Sequence, residues 1–218
     1  MSIYESFVTF FQSGGFFMIP IVFVLAVGLA IAIERYIYLS STRVKNQIAW
    51  KKIQTVLASG NMNEAMNFAE KSKCAISRIM GYGIASAQTS RRRDDIETAM
   101  EEGLMEVVPK LEKRTHYLAT FANVATLLGL LGTIIGLIDA FTAISAASPA
   151  EKADLLSSSI SVAMNTTAFG LMVGIPLLLL HSWLQTKTTE IVDSLEMASV
   201  KVLNTIATSA RKQTESAA

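Results

Sequence analysis

Six polar side chains in this 218-residue sequence stand where charge is scarce: Thr126 and Thr133 in one uncharged stretch, Asn165, Thr166 and Thr167 in another, and Asp139 at the edge of the first. Hydroxyl and carboxamide oxygens in such surroundings have two uses. They line a wet pathway, where they coordinate a dehydrated cation or pass a proton, or they face a neighbouring helix. Asp139 also has two readings: a carboxylate that draws cations to the mouth of a pathway, or a group held at headgroup level. Neither stretch carries a carboxylate at mid-depth. If the chain conducts protons, the titrating group comes from a partner.

The residues around these side chains are small. In helical register Thr126, Thr133 and Ala140 align seven apart, with Gly129 and Gly136 one turn off and Gly132 between them. Ser159, Ala163, Thr166 or Thr167, Gly170 and Gly174 make a second stripe in steps of three and four. Helices in lipid gain little by burying apolar side chains against one another and associate through close backbone approach. Gly129, Gly132, Gly136, Gly170 and Gly174 are therefore expected to be packing residues, and the polar members either packing or pathway.

Composition says what kind of protein positions them. With 51% hydrophobic and 17% charged residues and a mean hydropathy of +0.40, the chain is too apolar for an ordinary soluble domain. Three stretches lack Asp, Glu, Lys and Arg: Phe16 to Ile33, Thr115 to Ile138 and Leu155 to Thr186. Each reaches the roughly 18 to 20 residues needed to cross a bilayer. The fold class expected is an all-α integral membrane protein with three transmembrane helices and long cytoplasmic helical extensions. Thirteen Lys and Arg lie between Ser40 and Arg114, none precedes Phe16, and only Lys152 separates the second and third spans. The positive-inside rule then predicts the N-terminus outside and the C-terminus inside. The first span follows no basic residue and precedes no small-x-small cleavage pattern, so it reads as retained.

In chain order, 1–13 reads as an outer interfacial amphipathic helix with Ile3, Phe7, Phe10 and Phe11 on one face. Residues 14–39 form the first span and 40–93 a cytoplasmic helical region with a turn at Gly60-Asn61. A single long helix is expected over 94–145, N-capped at Asp94, kinked by Pro109 and including the second span. Residues 146–208 hold the outer loop, a helix start at Ser148-Pro149-Ala150-Glu151, the third span and a cytoplasmic extension. Residues 209–218 read as a flexible tail.

Several chemistries lack their motifs. No phosphate loop, HExxH, Cys-x-x-Cys or Gly-x-Ser-x-Gly occurs, Cys74 stands alone, and His116 and His181 have no third ligand in view, so neither an enzyme nor a metal or other cofactor is expected. Arg91-Arg92-Arg93 reads as a solvated loop, with anionic lipid or a partner as the alternative. At a net charge of +1 no nucleic-acid partner is expected.

Leu128 to Leu137 with Phe141, then Thr167-Ala168-Phe169-Gly170-Leu171 through Ile175-Pro176, resemble the second- and third-span signatures of the MotA/TolQ/ExbB ion-channel family. Gly14-Gly15 before the first span and Glu34-Arg35 after it are similar too. The resemblance implies a bacterial inner-membrane, multi-pass subunit, five copies of which surround a single-span partner of ExbD, TolR or MotB type. The partner's membrane aspartate would carry the ion past Thr133 and Thr167. Three spans favour the ExbB/TolQ branch, and with it a TonB-like protein as the recipient of the work, in contact with membrane lipids. Val162 stands where many ExbB and TolQ members carry an acid, and Thr126 where a proline is common. Ser161 to Thr167 is more similar to the stator version, whose double threonine accompanies sodium-driven members, so the transported ion is H+ or Na+. A non-conducting scaffold remains the reading of another class.

Overall fold

The computed structural model describes Phe10 and residues 14–58, 62–72, 74–90 and 92–215. The expected amphipathic helix over 1–13, Phe10 apart, and the Gly60-Asn61 turn lie outside them. Six helices follow in order: α1 Met18–Ala58, α2 Met62–Lys71, α3 Ala75–Thr89, α4 Arg93–Glu112, α5 Thr115–Ala146 and α6 Lys152–Glu215. There is no strand among the described residues, and three helical stretches are long and apolar enough to cross a membrane. The chain is an all-helical protein with three candidate spans.

It divides into two compact units, one of Met1–Glu34 and Arg114–Leu184, the other of Arg35–Lys113 and Gln185–Ala218. In the first unit α5 buries small residues, Ala122, Ala125, Gly129, Gly132 and Ala140, and turns Leu127, Ile134, Ile138 and Phe141 outward. Its partner stripe on α6 is Ala163, Thr166, Gly170 and Gly174, and α1 contributes Met18, Ile21, Val24 and Ala32. Close approach of α5 and α6 through small residues, with large apolar side chains of α5 turned outward, is the arrangement lipid favours.

The second unit has the opposite layout. Ile76, Ile79, Met80 and Ile84 of α3 meet Ile96, Met100, Val107 and Leu111 of α4. On α6 the buried residues Thr188, Ile191, Leu195, Ala198 and Val202 recur in steps of three and four, a coiled-coil spacing. Charges lie outside: Arg43 pairs with Glu190 at 3.3 Å and Lys110 with Glu106 at 2.9 Å. Hydrogen bonding from Lys110, with Arg78 beside it, holds the Glu106 carboxyl below its ordinary value, and Lys187 with Arg43 does the same for Glu190.

Three boundaries differ from the sequence reading. The helix expected over 94–145 is two helices, because α4 ends at Glu112 and α5 starts at Thr115, with Arg114 in the left-handed region at φ 68°. Pro109 has no amide to give to the preceding turn, yet the helix survives it and stops one turn later, where the Lys113 amide bonds the Pro109 carbonyl at 3.0 Å. A helix end leaves carbonyls without partners. The guanidinium of Arg35, 2% exposed, donates to one of them, Leu111 O, and lies 4.8 Å over the Tyr38 ring. On the other side α1 runs unbroken from Met18 to Ala58, and α6 continues as helix through Glu215 where a tail was expected from 209.

Candidate ion-pathway site

The seam between α5 and α6 is built by glycine. A Cβ placed on Gly170 would lie 2.7 Å from the Ala125 carbonyl oxygen and 3.0 Å from Gly129 Cα. One on Gly129 would meet the Cα atoms of Gly170 and Thr167 at 3.2 Å. Gly132 receives the Thr166 methyl, Gly136 faces Ala163, and Gly174 faces the Thr126 hydroxyl. All five glycines expected to pack thus occupy this seam. At Gly129 and Gly170 it is a backbone-to-backbone approach, and at Gly170 there is no room for a methyl group.

That approach brings polar atoms together. Thr167 Oγ1 donates to the Gly129 carbonyl across the seam at 2.8 Å. The same carbonyl receives the Thr133 amide within α5, by the ordinary helical pattern. Thr133 Oγ1, one turn on, donates to the Leu130 carbonyl at 2.6 Å. A hydroxyl has one proton. With those protons committed to carbonyls, Thr133 and Thr167 present only lone pairs to whatever faces them, the polarity needed to hold a cation or accept from a protonated group. Both residues are half-buried, so each retains an open side.

The other candidates fall differently. Thr166 is 2% exposed, with the Gly14 carbonyl at 2.6 Å and the Val162 carbonyl at 2.9 Å as acceptors, so its hydroxyl joins the segment before α1 to α6. Thr126 donates to Ala122 O at 3.1 Å and fills the space over Gly174. Asn165 is half-buried on α6. Asp139 is exposed on α5, about 9 Å of helix rise beyond Thr133. The structure therefore gathers Thr133, Thr167 and the Gly129 carbonyl, seats Thr166 and Thr126 in the packing, and leaves Asp139 apart.

Sequence reasoning placed Arg35 just after the first span, and nothing local signals its burial. Its role depends on a carbonyl 76 residues away.

Long apolar helices joined by glycine, with threonine oxygens grouped on an otherwise hydrocarbon seam, mark a multi-pass membrane protein. Residues 71–197 match the model of the MotA/TolQ/ExbB proton channel family, and the chain belongs to that family. The comparison with curated proteins gives no significant match.

Proposed function

We propose that this chain is the ExbB-like subunit of an inner-membrane channel complex that uses proton or sodium flow to energise TonB-dependent outer-membrane transport. Five copies surround an ExbD-like single-span partner, with the N-terminus outside and the C-terminus inside, and a TonB-like protein receives the work. The observation that carries this reading is the pair Thr133 and Thr167 around the Gly129 carbonyl, both with lone pairs outward. Neither uncharged stretch carries a carboxylate at mid-depth, so this reading assigns the group that titrates to the partner. Asn165 and Asp139 extend the pathway beyond the threonines. Thr166 and Thr126 support it from within the packing.

A flagellar-stator-like role, favoured by the Thr166-Thr167 pair, is the second reading, with a TolQ-like role beside it. The test is ion-driven activity of the chain co-expressed with its single-span partner, at fixed pH, with potassium in place of sodium. Activity lost without sodium assigns a coordination site at the threonines. Activity indifferent to sodium and abolished by an uncoupler assigns the current to protons. Activity insensitive to both removes the ion-channel reading and leaves a scaffold.

A further inference from the structure

We propose that the second unit carries a binding site for a phosphate-bearing anion, separate from the ion pathway and independent of that reading. A cavity of about 240 Å³ opens where α1, α3 and α4 converge, and its wall includes Lys45, Arg78 and Lys110, one cation from each helix. Glu106 pairs with Arg78 and Lys110. A single carboxylate against three cations leaves two positive charges in excess. Lys45 makes no ion pair among the described residues.

A further feature of the wall supplies donors. The α3 helix starts here, with Cys74 in extended conformation and no side-chain cap of its own, so the positive end of the helix meets the cavity. Asn46 of α1 takes the place of a cap: its carboxamide oxygen accepts from the Ile76 amide at 3.4 Å. That fixes the carboxamide, 6% exposed, against the start of α3 and shapes the wall there. An anion with oxygens pointing in several directions satisfies donors arriving from three helices, as the coplanar oxygens of a carboxylate do not.

The same chemistry has two sources. Leu111, also on the wall, lies four residues before the uncharged stretch that begins at Thr115, and Tyr38 lies five after the stretch that ends at Ile33. Those positions suit a phospholipid headgroup at the membrane boundary. A soluble phosphate ester offers the same oxygens.

The full chain, purified in detergent, is titrated with phosphatidylglycerol and with diacylglycerol by native mass spectrometry, and with glycerol 3-phosphate by calorimetry in lipid-free detergent. Phosphatidylglycerol is expected to bind and diacylglycerol not. Lys45→Gln should weaken binding about tenfold, the loss of one charge-assisted contact, while Lys45→Arg retains it. Lys201→Gln, an exposed cation on α6, should change nothing. Glycerol 3-phosphate binding with the same Lys45 sensitivity assigns a soluble ester, and phosphatidylglycerol binding alone assigns the headgroup. The proposal is overturned if neither phosphate probe binds, if diacylglycerol binds as well as phosphatidylglycerol, or if Lys45→Gln binds like the unmodified chain. Lys45 is exposed and outside every ion pair described, so this variant folds, and an unchanged melting temperature verifies it.

Discussion

The two units solve one problem, packing helices, in opposite ways. Along the α5–α6 seam the closest approaches are made by glycine, alanine and threonine, while Leu127, Leu130, Ile134, Ile138 and Phe141 of α5 point away. Along α3–α4 and the far half of α6 the large apolar side chains are inside, and charges paired at about 3 Å cover the outside. The difference is one of solvent. Where the surroundings are as apolar as leucine, association comes from close van der Waals contact between backbones, and where they are water it comes from removing leucine from them.

The contrast can be broken from either side. Gly170→Val should have the largest effect, because the new side chain meets Ala125 O and Gly129 Cα, backbone atoms that cannot turn away. A penalty above ~3 kcal/mol is expected, read as loss of assembled protein on gel filtration in detergent. In the second unit the damaging change is the reverse one. Ile79→Ala should cost ~2–5 kcal/mol by opening a cavity, seen as a lowered melting temperature by circular dichroism. Leu130→Ala, on the half-exposed outer face of α5, should cost far less than Ile79→Ala, and equal costs would dissolve the comparison.

Arg35→Met should rank next. It keeps the stem but leaves the Leu111 carbonyl without the guanidinium, for about 2 kcal/mol, measured by the same melt. The smallest effect belongs to the surface carboxylates. The folded value of Glu106 is depressed below 4.5 by Lys110 and Arg78, so its contribution is complete above pH 4.5 and is lost as pH falls through the lower folded value. The difference in melting temperature between Glu106→Gln and the unmodified chain should therefore be constant between pH 5 and 7 and shrink under more acid conditions. A difference that changes steeply between pH 5 and 7 would contradict the assignment.

Much of this was legible beforehand because lipid restricts the options. Uncharged stretches of sufficient length, glycine stripes at helical spacing and the threonines beside them needed no tertiary information, and all five packing glycines meet on one seam. The errors came where the deciding partner is distant. Pro109 pointed to a kink in a continuous helix, whereas the helix ends at Glu112 with Arg35 on the Leu111 carbonyl. Thr166 and Thr167 are equivalent by spacing, but the first meets Gly14 and the second meets Gly129, and adjacent residues on a helix face different neighbours.

The most direct measurement is ion flux into vesicles holding this chain and its single-span partner, comparing the unmodified chain with Thr167→Val and Thr133→Ala, with assembly verified by co-purification. The account predicts that both variants assemble and that flux falls by at least about tenfold in each, the loss of an oxygen that faces the ion. Assembled variants with undiminished flux would contradict it, and would reduce the two threonines to packing residues like Thr166.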